Sequence, residues 1–593
     1  MFGQSAHHLR EFTMNGRIAL LLCALLGLVM LVCGLSVPAH LRAVDASVIL
    51  QAGRGTPGLA EKGLTLVRED NFGAAQLVLR AAKDHGLPDW ENLDLKLNDV
   101  ASLHPRWPVW GGGSPHLEAL FKDAQPPELH TANGPNVAPE PVTDWAIRYQ
   151  NRATVLELLR ASPRPVVQEL LQFRTVTNTV IFPPSESSSG QALDASLAIC
   201  GLLLDEDQLS FSLSNVVFVA ASAANQGGNS EPLEQILMNF LSLGQRFNWS
   251  QLTAFVNRIP NAETLRLHTG IIRRAESDLP VLFSAVQLSG KPAAVAAYVV
   301  NHGQTAFRDL GWSLRAGAGG MDELLRSGEP LYISNVRPRL AIYAPLRATM
   351  DILSEFAWRL PAMALALKWI FYLLSGFLLA AALHYALPEA TPLERPLQVR
   401  GFHVAREALF ALGFLLVVLL LSEPFLTQEN QKVDFPFRLH LPTVGRSVPA
   451  VSPVASKFGM NQSDLWPLLL FFVMQGLLYS ACLVKLAEIR RQRVPARIKL
   501  RLLENEDHLF DAGLYLGFLG TIVSFILYSV GVMKQFSLMV AYSSTSFGIV
   551  FVSIFKIMHL RPARRKLVLD SEAAAAVQPP GAQQQHGAYV TTS

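Results

Sequence analysis

The sequence predicts an all-α, multi-pass membrane protein with six transmembrane helices and a large, mostly α-helical extracytoplasmic domain. Half of its 593 residues are hydrophobic and only 16% are charged, which is too apolar for an ordinary soluble protein. Apolar runs long enough to cross a bilayer occur near the N-terminus and again in the C-terminal part of the chain. Between them, residues 38–360 are polar, and their apolar side chains recur at helical spacing.

The first apolar run covers residues 18–37 and follows a polar segment, residues 1–17, that carries two arginines. Its length of about 20 residues is enough to cross a membrane. Because Val37-Pro38-Ala39 is similar to a small-residue cleavage site, a removable signal peptide is the alternative. The apolar region is longer than in ordinary signal peptides, which favours a retained signal anchor. In either case, the following segment lies across the membrane from the N-terminus.

Residues 38–360 form the predicted extracytoplasmic domain. Residues 64–85 have alanines and leucines at helical spacing, which is typical of one helical-repeat unit. Tryptophans, three consecutive glycines and many prolines indicate a long irregular connection over residues 103–141. Residues 331–346 alternate enough to be extended. Further helical patterns occupy residues 145–161, 166–173, 192–204, 231–243, 249–258 and 262–276. The domain is therefore predicted to be a mainly α, bent helical array.

No motif of a known catalytic or nucleotide-binding class occurs in this domain. The acidic cluster Asp205-Glu206-Asp207 lies at a predicted helix end, where a solvated turn is the favoured interpretation and a metal site the alternative. The histidines and the four cysteines lack the spacing of metal ligands. A net charge of +3 indicates no nucleic-acid partner. We therefore expect no enzyme activity, no metal and no cofactor.

Five more apolar runs are predicted to cross the membrane: residues 362–387, 408–425, 466–486, 510–533 and 538–559. Basic residues concentrate before residue 408, between the fourth and fifth spans, and after the sixth, which places these segments in the cytoplasm. The resulting divisions are transmembrane helices 2–4 (361–487), a basic cytoplasmic loop (488–509), a transmembrane hairpin (510–560) and a basic, disordered cytoplasmic tail (561–593). We therefore expect an inner-membrane protein with both termini in the cytoplasm and residues 38–360 outside.

Ionisable groups within the predicted spans are few, although such groups normally mark ion paths. Lys368 and His384 lie near the ends of the second span, Glu423 near the end of the third, and Asp511 at the start of the fifth. Each lies within reach of a membrane surface, so we expect it to snorkel or to cap a helix. A proton relay contained in this chain alone is therefore not predicted.

The hairpin at residues 510–560 carries small residues on one face of each helix. Gly513, Gly517, Gly520 and Ser524 share a face of the first helix, beside Thr521; Ala541, Thr545, Gly548 and Val552 share a face of the second, beside Ser544. Small residues let helices pack closely in lipid, and plain packing is the simplest interpretation. A threonine on such a face can instead offer its hydroxyl to whatever passes the interface.

The same hairpin resembles a known family over about fifty residues. Gly517-Phe518-Leu519-Gly520-Thr521 resembles the G-L-L-G-T of the second helix of the MotA/TolQ/ExbB proton-channel family. Ser544-Thr545-Ser546-Phe547-Gly548 is similar to the A-T-A-x-G of that family's third helix. The resemblance implies that Thr521, Thr545 and Ser544, with Gly517, Gly520 and Gly548, line an ion path or a partner-helix interface. It also implies a homo-oligomer and a separate single-span partner that supplies an intramembrane Asp.

Two functions remain open. In the first, the chain is a proton-channel or energy-transducing subunit whose outer domain engages the cell wall or an envelope partner. In the second, the membrane part is an anchor, and residues 38–360 are a scaffold or sensor that binds envelope proteins. A channel requires the hydroxyls of the hairpin, whereas a scaffold requires only the outer domain.

Overall fold

The computed structural model describes residues 2–105, 107–114, 117–118, 140–144, 147–185, 191–334, 344–386, 402–423, 462–492, 494–529 and 538–576. These residues are almost entirely helical, which confirms the predicted α class. The chain divides into two compact units. We call residues 44–334 the intervening unit, and the described residues before 44 and after 334 the membrane unit.

Helix α1 (Phe2–Ser36) opens the membrane unit. The intervening unit begins with strand β1 (Val44–Asp45) and continues with α2 (Ala46–Gly53), α3 (Leu59–Arg68), α4 (Phe72–Asp84), α5 (Trp90–Leu103), α6 (Trp107–Trp110), α7 (Tyr149–Arg160), α8 (Pro165–Gln172), α9 (Gln191–Asp205), α10 (Phe211–Asn225), α11 (Glu231–Gly244), α12 (Trp249–Val256), α13 (Ala262–Arg274), α14 (Leu279–Ser289), α15 (Pro292–His302), α16 (Gln304–Ser313), α17 (Gly317–Ser327) and β2 (Leu331–Tyr332). The membrane unit resumes with α18 (Ala344–Arg359), α19 (Pro361–Ala386), α20 (Phe402–Ser422), α21 (Gln462–Arg491), α22 (Ala496–Asn505), α23 (Asp507–Phe510), α24 (Ala512–Ser529), α25 (Leu538–Phe555), a π-helical turn (Lys556–Leu560) and α26 (Arg561–Ala576).

Among the described residues, four helices are long and apolar enough to cross a membrane, as expected of a membrane protein. Their apolar segments are Ile18–Ser36, Pro361–Leu383, Leu470–Arg491 and Tyr542–Ala573. The predicted spans at 408–425 and 510–533 coincide with shorter apolar helices, Phe410–Leu419 and Ala512–Ile526. Four of the six predicted spans therefore meet the length and composition expected of a transmembrane helix.

The intervening unit is a helical array around one hydrophobic core. Each helix predicted there is present, with its ends shifted by a few residues where the structure describes them. Helices α2, α5, α6, α10 and α14–α17 were not predicted. Almost all of α14 is buried, and a helix that is apolar on every side lacks the amphipathic period by which sequence reveals helices. The predicted extended stretch at 331–346 is a strand only at β2, because α18 begins at Ala344; residues 335–343 lie outside the described residues.

The connection predicted as irregular over 103–141 contains the short helix α6 and then Gly111–Gly113, whose φ angles are all positive. Positive φ is the conformation that glycine adopts without strain, so the three glycines fit this turn. Gly73 donates its N–H to the carbonyl of Gly111, at 2.9 Å. The turn therefore packs against the start of α4. Residues 119–139 lie outside the described residues.

Two segments of the membrane unit differ from their predicted form. Residues 488–509, predicted as a basic loop, contain α22 and α23, and the predicted disordered tail begins with a helix, α26. Leu503, Leu560 and Ala563 are buried in one small apolar cluster, which holds α22 against α26. Arg564 also pairs with Glu504 at 3.1 Å. These contacts stabilise the two helices; residues 577–593 of the tail lie outside the described residues.

Helix α19 packs along α1 on one side and α20 on the other. Glycines permit the close approach: a Cβ at Gly27 would lie 3.1 Å from Leu379, and one at Gly376 would lie 2.9 Å from the Cα of Ala411. Ser375 donates a hydrogen bond of 2.8 Å to the carbonyl of Gly27. Small residues and a buried hydroxyl are the features by which helices associate in lipid.

Candidate functional site

The six residues that the sequence singled out lie together where α24 and α25 cross. The two backbones touch, because a Cβ at Gly517 would come within 2.8 Å of the Ser544 carbonyl oxygen. A Cβ at Gly548 would come within 2.6 Å of the Gly513 carbonyl oxygen. Ser544 is buried against Gly520. Glycine at these positions is therefore what allows the hairpin to close.

Thr521 and Thr545 bind each other across this crossing. Their hydroxyl oxygens are 2.6 Å apart, and either can be the donor. Both hydroxyls also lie within reach of the Gly517 carbonyl, Thr521 at 3.1 Å and Thr545 at 3.3 Å. A hydroxyl has one donor and two acceptor positions, so Thr545 can still accept a further hydrogen bond.

A third helix brings a polar residue that the sequence analysis did not select. Gln475 of α21 is buried and donates its amide N–H to the Gly513 carbonyl at 3.1 Å. Among the described residues, no donor reaches the Oε1 atom of Gln475. An unpaired carbonyl oxygen inside a membrane-spanning helix is costly, which points to a functional position. A glutamine in the middle of an apolar run was the available sequence signal.

These groups form a polar row along the hairpin. Gly513, beside Gln475, lies one helical turn from Gly517, and Ser524 extends the row by bonding the Gly520 carbonyl at 2.7 Å. From Gly513 to Ser524 the row covers about 16 Å of helix at about 1.5 Å per residue. Just beyond the Gly513 end of the row, Asp511 pairs with Lys556 at 2.6 Å. Asp511, predicted to snorkel or cap, directly precedes α24, and its ion pair also joins the start of α24 to the turn after α25.

A second polar cluster lies where α19 and α20 meet the chain after α1. Lys368, predicted to snorkel, is buried and donates to Glu423 Oε1 at 2.7 Å, to the Ala39 carbonyl at 2.8 Å and to His40 Nδ1 at 3.1 Å. Glu423 Oε2 accepts the backbone N–H of Leu41 at 2.8 Å. The prediction of separate snorkelling groups was wrong for this pair, because each charge neutralises the other inside the protein. The side chain of His384 lies outside the described part of the chain.

The acidic cluster of the intervening unit joins neighbouring segments. Asp205 accepts a hydrogen bond from Ser162, Glu206 one of 3.2 Å from the Trp249 indole, and Asp207 pairs with Arg164 at 3.0 Å. The described residues contain no group of three or more side chains that could hold a metal ion. The cluster lies at the turn that ends α9, where the sequence analysis placed it, and its side chains also bind neighbouring segments.

Other buried polar groups of the intervening unit hold its helices in place. Glu234 accepts the backbone N–H groups of Val180, Ile181 and Phe182, at 2.8, 2.5 and 2.8 Å. Burial lowers the pKa of His268 to about 4, so the ring is neutral and its Nε2 can donate to the Pro292 carbonyl at 2.9 Å. Burial likewise raises the pKa of Asp309. Hydrogen bonds within the unit account for these groups, except for Nδ1 of His268, which has no hydrogen-bond partner among the described residues.

The candidate site is thus a row of neutral polar groups between three helices of the membrane unit, with a buried ion pair in a separate cluster. Hydroxyl and amide groups can pass a proton or bind a polar group of a partner, but they carry no charge of their own. No protein-family model, no curated protein and no solved structure matches this chain.

Proposed function

We propose that this chain is an ion-coupled, energy-transducing membrane subunit in which the α24–α25 hairpin receives a charged group from a partner helix. The observation that carries the proposal is the polar row that joins Gln475 to Thr521 and Thr545. Plain helix packing needs small residues, but it does not need a buried carboxamide with an unpaired oxygen about two turns along α24 from a hydroxyl pair.

The row lacks a charged group between its ends. Asp511 lies beside the Gly513 end of the row and is already paired with Lys556. The other side chains of the row are neutral. A proton or cation crossing the membrane needs a carboxylate or an equivalent acceptor on its way. A single-span partner with an intramembrane Asp supplies that group, and the protonated carboxyl would donate to an open acceptor such as Gln475 Oε1. This is the arrangement that the resemblance of the hairpin implies.

The experiment replaces each hydroxyl with a methyl group. Thr521→Val and Thr545→Val nearly preserve the side-chain shape and remove the hydroxyl pair, so proton flux into vesicles containing the protein and its partner should be lost. Membrane insertion should be retained, because a hydrogen bond between membrane helices contributes only about 0.6 kcal/mol on average. The matched control is Ser546→Ala, which removes an exposed hydroxyl from the same helix.

Two results would contradict the channel. One is proton flux at the wild-type level in both valine variants. The other is native mass spectrometry of the complex, extracted from its own membrane, that finds a monomer without a small single-span chain. The expected result is a ring of several copies that holds one or two such chains.

The proposed topology has six spans, with both termini in the cytoplasm and the intervening unit outside. Helix α20 has 21 residues and α24 has 18, or about 32 and 27 Å of helix, close to the bilayer core of about 30 Å. Labelling of single cysteines with a membrane-impermeant reagent tests this topology. A cysteine in 44–334 should react in intact cells, and one after residue 560 should react only after lysis.

A second function, a membrane-anchored scaffold or sensor, is favoured by helix α10. None of its 15 residues is charged, and Phe211 and Val219 are 90% and 58% exposed. Exposed apolar residues on one helix commonly mark a protein-binding surface. Exchanging residues 361–560 for an unrelated membrane anchor distinguishes the two functions. A scaffold would still complement a strain that lacks the gene, whereas an ion-coupled subunit would not.

A further inference from the structure

A deep apolar groove opens in the membrane unit between α20, α21 and α24. Its volume is about 630 Å³, and its walls include Phe414, Leu477 and Leu516. Gly413 forms part of the wall with no side chain of its own. Along α21 the lining extends from Met474 to Lys485, or about 16 Å at about 1.5 Å per residue. The groove therefore runs along the membrane-spanning part of these helices and ends near the end of α21.

A flexible hydrocarbon chain is narrow and fits an apolar slot of this size. Lipid is also the solvent around these helices. The apolar lining and the length of the groove thus favour an acyl chain.

Charged residues stand at one end of the groove. Lys485 and Glu506 belong to its lining and are 3.5 Å apart, and Glu488 lies 3.4 Å from the same Lys485 ammonium group. One positive and two negative charges leave this end with a net charge of −1. The two lining side chains are about 30% exposed, so a headgroup can reach them.

We propose that this groove is a binding site for one phospholipid with an ethanolamine headgroup. The acyl chain lies in the apolar groove, the lipid phosphate contacts Lys485, and the primary ammonium donates hydrogen bonds to Glu506 and Glu488. An anionic glycerol headgroup lacks the positive charge that two carboxylates require. A choline headgroup has that charge but no N–H to donate, so it cannot make the charge-assisted hydrogen bonds.

The test is native mass spectrometry of the full chain in mild detergent, with phosphatidylethanolamine, phosphatidylcholine or phosphatidylglycerol of identical acyl chains. Wild-type protein should retain one phosphatidylethanolamine per chain, about tenfold more tightly than either of the other lipids, as expected when one charge-assisted hydrogen-bonded contact is gained. Gly413→Leu should abolish retention, because its side chain enters the groove. Gly413→Ala is the matched control, since its Cβ would lie 3.7 Å from the Met474 sulfur, an ordinary contact.

Glu506→Lys provides an independent test at the partly exposed end of the groove. It changes the net charge there from −1 to +1 and should reverse the preference in favour of phosphatidylglycerol. Equal retention of the three lipids by wild-type protein would overturn the proposal, as would retention in Gly413→Leu equal to that in Gly413→Ala. A photo-crosslink from position 477 to a second polypeptide would also overturn it, because it would assign the groove to a protein partner.

Discussion

Replacement of Lys368 with methionine should destabilise the membrane unit strongly. The ammonium group makes three contacts, of 2.7 Å to Glu423, 2.8 Å to the Ala39 carbonyl and 3.1 Å to His40. Methionine fills a similar volume but makes none of them. Glu423, whose side chain is fully buried, would keep the Leu41 N–H and the imidazole of His40, 3.6 Å away. The variant therefore leaves a buried carboxylate without its main counter-charge.

The expected loss in the free energy of unfolding is about 3–5 kcal/mol, which is the range for removing one partner of a buried ion pair. Glu423→Leu alone should cost a similar amount, because it removes the carboxylate that balances the charge of the buried Lys368 ammonium. The double variant, Lys368→Met with Glu423→Leu, should recover most of both losses, because two apolar side chains can replace a buried ion pair at little cost. The interaction energy from this double-mutant cycle should therefore be at least about 3 kcal/mol, since the two single losses sum to about 6–10 kcal/mol.

The measurement is reversible unfolding of the full chain in mixed micelles with increasing denaturing detergent, followed by circular dichroism. A hydrophobic control, Leu383→Met, changes an exposed lipid-facing residue of the same helix. The reasoning would be refuted if Lys368→Met cost less than about 1 kcal/mol, the level of an exposed ion pair. It would equally be refuted if the losses of the two single variants simply added in the double variant.

Three further predictions concern other parts of the chain. Gly517→Ala should weaken the hairpin by about 1–3 kcal/mol, because its Cβ would come within 2.8 Å of a backbone oxygen on the facing helix. Glu234→Gln should destabilise the intervening unit by about 2 kcal/mol, since an amide cannot accept all the N–H groups that the carboxylate now accepts. Acidification should weaken the same unit through His268, whose pKa is lowered to about 4 from an ordinary 6.5. Between pH 6.5 and pH 4, the His268 imidazole binds a proton in the unfolded chain but not in the folded chain. The free energy of unfolding therefore falls as the pH falls, by about 3 kcal/mol in total.

Each of the three has a control. Gly476→Ala, on a neighbouring membrane helix where a Cβ meets nothing within 4 Å, should leave stability unchanged; equal losses at Gly476 and Gly517 would contradict the packing argument. Hydrogen exchange at residues 180–182 should rise in Glu234→Gln, and unchanged protection there would count against the proposed role of the carboxylate. His268→Gln keeps an N–H donor without titrating, so urea unfolding at pH 7 and pH 4.5 should differ less in this variant than in wild type. The same pH dependence in both would assign it to other groups.

Sequence alone was sufficient for features that depend on local pattern. The helical spacing of apolar residues predicted amphipathic helices such as α11 and α13. The small residues at Gly517 and Gly548 indicated where two helices come close. Helix α14 was missed because it is buried on all sides and has no polar face. Helices α22 and α26 were not predicted, because each carries several basic residues. Each is stabilised by its contact with the other helix.

Contacts between distant residues could not be predicted in this way. Lys368 and Glu423 are 55 residues apart in the sequence, and Lys368 and His40 are 328 residues apart. No local sequence pattern therefore indicates the cluster. Each charge, considered alone, lay near a membrane surface and could be expected to reach water. The Thr521–Thr545 bond, by contrast, follows from two short motifs on adjacent helices. Gln475 is uncharged, and its importance emerges only once Gly513 and Gly548 are placed beside it.

The short strands β1 and β2 have a consequence for how this chain is assembled. Val44 pairs with Leu331, and Asp45 pairs with Tyr332, so the intervening unit starts and finishes at neighbouring strands, about 4.8 Å apart. Helices α1 and α19, which flank that unit in sequence, pack along each other. A domain whose two ends are adjacent can be inserted into a host chain without separating the host elements on either side. Residues 44–334 thus have the geometry of a cassette that recombination could exchange as one piece, while the membrane helices keep their pairing.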